Sequence, residues 1–163
     1  MSETLRCTVL EADGARVSTV EHLLSACAGL GVSDLRVEID GPELPIGDGS
    51  AAPWVAALRE AGATSGGMVT VPLESPVEVV GSGGALVAAY PAGRLSVTVA
   101  VHFDHPVVGT QIARFVEGDD YAAQVAPART FGFREEVDRL LAAGLARGGS
   151  LDNAVVVEPA GYS

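Results

Sequence analysis

Cysteine is scarce in the 163-residue chain: Cys7 and Cys27 stand alone, with no second pair and no C-x-x-C spacing. Neither a disulfide framework nor a cysteine zinc site finds support in that pattern. Positive charge is scarce as well, with 10 Lys and Arg against 21 Asp and Glu, a net charge of −11. Nucleic-acid binding needs a basic patch, and none is present, so DNA and RNA are excluded as partners. A small anionic ligand held by backbone dipoles is not excluded. No apolar run approaches the length of a bilayer span, so no transmembrane segment is expected. The opening "MSETLRCTVLEADG" has no basic segment followed by an apolar one, so a signal peptide is not expected and a cytoplasmic protein is. Aromatics are few at 5%, yet 48% of residues are hydrophobic, which argues against disorder. A chain of this length buries one good core or splits into two small layered units.

Apolar periodicity is what the sequence has most of. In "ARVSTVEHLLSACAGLG", Val20, Leu23, Leu24, Cys27 and Ala28 recur as the stripe of an amphipathic helix over 19–30, with Gly29 and Gly31 as its stop. Glu21, His22, Ser25 and Gly29 fall on the other side. Ser25, Ala26 and Gly29 are small, so another surface or a ligand can approach closely there. Glu21–His22 has two readings. Ser18-Thr19-Val20-Glu21 fits a capping box, in which Glu21 only satisfies a backbone N–H. The pair also suits chemistry, and local pattern leaves both open.

"DLRVEIDG" alternates Leu35, Val37 and Ile39 with Arg36, Glu38 and Asp40, the period of a half-buried strand. The turn-rich "PELPIGDGSAAP" follows. A helix through "PWVAALREAG" then has Pro53 in its first turn and Gly62 at its end. "TSGG" at 64–67 reads as a linker. Strands are expected in "MVTVPL", "PVEVV", "GALVAAY" and "RLSVTVAVHF", the last with an apolar face packed on one side and His102 on its polar face. His102 and His105 have no carboxylate–histidine pattern beside them that would mark metal ligands. Near the end, Val137, Leu140 and Leu141 mark a helix ending near Gly144, and "NAVVVE" a strand. Phe131-Gly132-Phe133 fits core packing at a helix entrance. It equally allows backbone contact with a ligand, or an anion on the N–H groups of the following helix. The fold class is α+β: two layered α/β units, 1–63 and 68–163, helices packed between sheets.

Five segments occur in an order that closely resembles the UDP-3-O-acyl-N-acetylglucosamine deacetylase family, the zinc amidases of lipid A biosynthesis. They are "STVEHLLSACAGLGV", "PELPIGDGSAAPWVAALREAG", "FDHP", "ARTFGF" and "GLARGGSLDNAVVV". The resemblance implies two similar α/β units with facing helices and an active site between them. It implies that His22 is a zinc ligand and Glu21 the general acid/base, the metal acidifying its water and polarising the amide carbonyl. Thr130 corresponds to the threonine that stabilises the tetrahedral oxyanion. Phe103 corresponds to an aromatic that contacts the uridine end of the substrate, and Phe131 lies on the same surface. His102 stands where the family often has an acidic residue. Val137, Ala146, Ser150 and Leu151 correspond to positions lining the passage for the acyl chain.

The family's other zinc ligands lie in an H-K-x-x-D-x-x-G-D motif, with a further catalytic histidine after it. Neither occurs in the sequence, and both units are expected to be incomplete relative to the family. A catalytic zinc normally takes three protein ligands and leaves one position open. Three readings follow. The chain is a segment of such a deacetylase; or a non-catalytic relative that binds a nucleotide-sugar, an acyl ligand or a protein; or one part of a split enzyme completed by a second chain.

Overall fold

A computed structural model describes residues 7–63, 71–144 and 148–163. The chain opens with a hairpin of β1 (Val9–Ala12) and β2 (Ala15–Ser18). Its two-residue turn is Asp13-Gly14, both at positive φ (51° and 81°), the geometry that matches the twist of paired strands. Helices α1 (Glu21–Leu30) and α2 (Ala52–Glu60) follow. Antiparallel pairs come next: β3 (Val77–Val80) with β4 (Leu86–Ala89), and β5 (Ser96–His102) with β6 (Thr110–Val116). After the short α3 (Tyr121–Gln124), β7 (Phe131–Phe133) runs through α4 (Arg134–Ala142) to a parallel β8 (Val155–Glu158). β9 (Gly161–Tyr162) closes this three-stranded sheet antiparallel to β8. Mixed helices and small sheets make this an α+β fold. Among the described residues no helix is long and apolar enough to cross a membrane.

The main core forms around α1. Val20, Leu23, Ala26 and Cys27 are buried together with Leu44, Ala51, Val55, Leu58, Tyr121 and Ala126. Within the expected stripe, Leu24 and Ala28 are instead exposed, and Ala26 is fully buried. The reason is that α1 packs against both α2 and α3, which turns its buried arc toward Ala26. The small face of α1 is where Tyr121 docks: its ring lies directly over Gly29, where a Cβ would overlap it. The Tyr121 hydroxyl shares a 2.6 Å hydrogen bond with Ser25 Oγ, and the ring meets Phe115 edge-on at 6.1 Å.

Several expected strands differ. Residues 33–39 form none: Leu35, Val37 and Ile39 keep their alternation but stay 40–45% exposed. A strand needs a hydrogen-bonded neighbour, and the described residues give this segment none. Its apolar side chains instead border a groove of about 390 Å³ shared with Leu10, Leu23 and Leu24. In "MVTVPL", 68–70 lie outside the described residues and 71–73 are not a strand. β5 forms, yet Val97, Val99 and Val101 are 38–52% exposed, because among the described residues its extensive contacts are with β6 alone. The proposed linker 64–67 also lies outside the described residues.

Gly29→Ala should cost about 1–3 kcal/mol, the usual penalty of overpacking a tight contact. Urea unfolding checks this, and Gly93→Ala, where a Cβ meets nothing and φ is not positive, controls for adding a methyl group without overlap.

Candidate active site

At the start of α1, Ser18 is paired on one side with β1 and on the other with the 42–44 segment. Its N–H donates to Pro42 O at 2.9 Å, its O accepts from Leu44 N–H at 3.1 Å, and its hydroxyl donates to Pro42 O at 3.3 Å. Thr19 then turns through a left-handed conformation at φ 60°, which for a β-branched residue is strained by about 1–3 kcal/mol. It is buried, and its hydroxyl donates to Glu43 Oε1 at 2.6 Å. The capping box is therefore not formed. Val20, not Ser18, is the N-cap, which leaves Glu21 as the first helical residue. The Glu21 carboxylate reaches sideways instead and accepts the Thr8 N–H at 2.9 Å. His22 is half-buried and has no hydrogen-bond partner among the described residues.

Thr130 enters from the later part of the chain. Its N–H donates to Gly49 O at 2.7 Å and its O accepts from Val155 N–H at 3.0 Å. Its side chain is exposed, and its hydroxyl makes no hydrogen bond among the described residues. Next to it, Arg129 forks between two loops, Nε to Asp48 O at 2.9 Å and Nη2 to Leu151 O at 3.0 Å. Gly49, at φ 82°, lies so close to the Asn153 carbonyl that no side chain fits. The Gly-Asp-Gly-Ser turn thus seats Thr130, and only backbone approaches it there.

Phe103 and Phe131 meet edge-on at 5.7 Å, with Phe133 within 6.0 Å of both. The His105 ring lies 5.3 Å from Phe133, and its Nδ1 accepts the Val107 N–H at 3.2 Å. His102 shares a 2.8 Å hydrogen bond with Thr110. Beside the cluster a cavity of about 360 Å³ is lined by Phe103, His105, Phe133, Arg134 and Arg139. Arg134 is held there by Glu158, which it grips through Nε at 3.0 Å and through Nη2. That guanidinium holds the Glu158 carboxyl below its usual range.

The expected acyl-passage residues are less concentrated. Val137 is half-buried, with Cγ2 3.2 Å from where a Cβ on Gly132 would sit. Ser150 anchors a turn, its N–H donating to Asn153 Oδ1 at 2.8 Å, and Leu151 is exposed. Ala146 lies outside the described residues. Sequence reasoning missed Glu43, Asp48 and Arg129. The Asp-Gly-Ser turn chemistry was legible in "PIGDGSAAP", but nothing local marks what that turn supports. Among the described residues no three His, Cys, Asp or Glu side chains converge, so these residues alone do not complete a metal site around His22.

The family model of UDP-3-O-acyl N-acetylglycosamine deacetylase matches residues 1–163, the whole chain. The chain belongs to this deacetylase family. Its curated relatives include the UDP-3-O-acyl-N-acetylglucosamine deacetylases of Anaeromyxobacter sp. (strain Fw109-5) and Myxococcus xanthus (strain DK1622). They are 46% and 44% identical over 96% of this chain, and over 52% and 50% of their own lengths. The relative of the same name from Thermosynechococcus vestitus is 42% identical over 99% of this chain and 57% of its own length. The chain therefore spans about half the length of the family members it matches.

Within the turn that seats Thr130, hydrogen bonds from the Ser50 hydroxyl (2.7 Å) and N–H (3.0 Å) hold the Asp48 carboxyl below its usual range, with Arg129 adding to the effect. A depressed folded pKa stabilises above the unfolded value, and that stability is lost as pH falls through the folded one. The urea midpoint should thus drop on acidification below about pH 4, and Asp48→Asn should flatten that limb of the profile.

Proposed function

We propose that this chain carries the general base and the oxyanion donor of a deacetylase. The reaction is hydrolysis of the N-acetyl group of UDP-3-O-acyl-N-acetylglucosamine, a zinc-dependent step of lipid A biosynthesis in the cytoplasm. The observation that carries the reading is the whole-chain family match. Thr130 supports it, with its backbone pinned on two sides and its hydroxyl unengaged. So does Glu21, whose carboxylate is fixed by the Thr8 N–H.

In this reading Glu21 takes the proton of the attacking water as its oxygen bonds to the amide carbon. Thr130 donates a hydrogen bond to the oxygen that becomes negative in the tetrahedral intermediate. Glu21 then returns the proton to the sugar nitrogen as the C–N bond breaks, giving acetate and a free amine. His22 would be one ligand of a zinc ion, with the others supplied from outside the described residues, and the metal when bound would acidify the attacking water and polarise the amide carbonyl. Phe103 and Phe131 offer aromatic surface to the uridine end. Val137, Ala146, Ser150 and Leu151 line the acyl passage. Residues 1–63 and 68–163 are the two α/β units that flank the site.

Acetate release from the acyl-sugar nucleotide by the polypeptide as encoded tests this. Glu21→Ala should lower kcat by about 10²–10⁴-fold with bound zinc unchanged, and a kcat within about threefold of the parent removes Glu21 from the mechanism. A second reading rests on the absence of three converging ligands among the described residues. Ligand binding without zinc or turnover favours a non-catalytic relative. Turnover that needs a second polypeptide favours a split enzyme.

A further inference from the structure

The 42–51 segment touches both candidate catalytic positions. At one end it pairs with Ser18, and Glu43 accepts the Thr19 hydroxyl, two residues before Glu21. At the other end the Gly49 carbonyl accepts the Thr130 N–H, and Arg129 grips the Asp48 carbonyl. The stretch between includes Gly47 and Gly49 at positive φ, and it is restrained at several points. Pro42 and Pro45 restrict it, and Leu44 and Ala51 are buried anchors. Asp48 accepts from Ser50, and Ser50 Oγ accepts the Ala52 N–H at the start of α2. A short segment anchored at both ends and pinned between them passes part of a displacement at one end to the other.

We infer that the 42–51 segment is a strap that sets the spacing between Glu21–His22 and Thr130, with Glu43 and Arg129 as the positioning residues at its ends. Its catalytic meaning rests on the proposed deacetylase reading, and its mechanical meaning does not. Neither Glu43 nor Arg129 touches the reacting atoms in that reading. Each acts through the residue beside it: Glu43 through Thr19, Arg129 through the turn that seats Thr130.

The test is coupling between the two ends in the polypeptide as encoded, read by amide hydrogen exchange and by kinetics. Glu43→Ala should speed exchange of the Thr130 N–H, and Arg129→Met, which removes the donors to Asp48 and Leu151, that of the Leu44 N–H, each by about tenfold, as loss of hydrogen bonding at the far end predicts. Thr19→Val removes the first hydrogen bond by a second route, should Glu43→Ala not fold. Glu43→Gln keeps an acceptor oxygen and should restore parental exchange. In the same variants kcat should fall about tenfold with KM within about twofold, and Glu43→Gln should recover it. Exchange that changes only at the mutated end overturns the strap. Coupled exchange with parental kcat overturns the positioning role. If the unmutated polypeptide does not release acetate, the deacetylase reading falls, while the exchange data still decide the strap.

Discussion

The contact between the Tyr121 ring and Gly29 is the constraint on which the rest of this structure depends. Helix α1 supplies three of the ten residues of the main core, its N-cap Val20 a fourth, and it carries Glu21–His22 at its first turn. Tyr121 comes from a point roughly ninety residues later, and its ring can lie on the helix only where no Cβ intervenes. The Ser25 hydroxyl fixes the phenol and Phe115 backs the ring, so the contact has a defined orientation. Once it is made, Ala126 is buried and the chain leading to Thr130 is brought to the 47–51 turn, where Ala51 N–H donates to Ala126 O at 3.0 Å.

The candidate site follows a division of labour between backbone and side chain. Thr130 is held through its N–H and C=O, leaving its hydroxyl available. His22 is carried by a helix whose start is set by hydrogen bonds at Ser18 and Thr19, leaving its imidazole without a partner among the described residues. The left-handed Thr19 costs free energy locally and is offset by the Glu43 hydrogen bond and by burial. Groups held this way need little reorganisation when charge develops beside them.

The apolar rows that remain exposed have a common physical description. Val97, Val99 and Val101 on β5, Val79 and Val87 on the β3–β4 hairpin, and Leu35, Val37 and Ile39 beside the groove are all patterned for burial and left in contact with solvent. Each would gain about 25 cal/mol for every Å² covered. The pattern accompanies a chain that spans about half the length of the family members it matches.

The sequence alone determined the two main helices, the helix before Gly144, the strands of the 77–89 and 96–102 regions, the strand at 155–158 and the family, because each is written in local periodicity or in ordered motifs. It also contains the Asp13-Gly14 pair that forms the turn of the first hairpin. The pairing state of 33–39 was not legible, since period-two alternation reports which side is apolar and not whether a partner strand exists. Nor was the fate of Glu21: the Ser18-x-x-Glu21 spacing matches a cap, but the 42–44 segment claims Ser18 and Thr19 first, and Thr8 claims the carboxylate. Glu43 and Arg129 carry no local signature because the partner of Glu43 lies 24 residues away along the chain and those of Arg129 81 and 22, while Asp48 has a local turn with Ser50 that does not show what the turn supports. Local pattern encodes what a residue prefers among its neighbours in sequence. Which distant group becomes its hydrogen-bond partner is decided only when α1, Tyr121 and the 42–51 segment pack together.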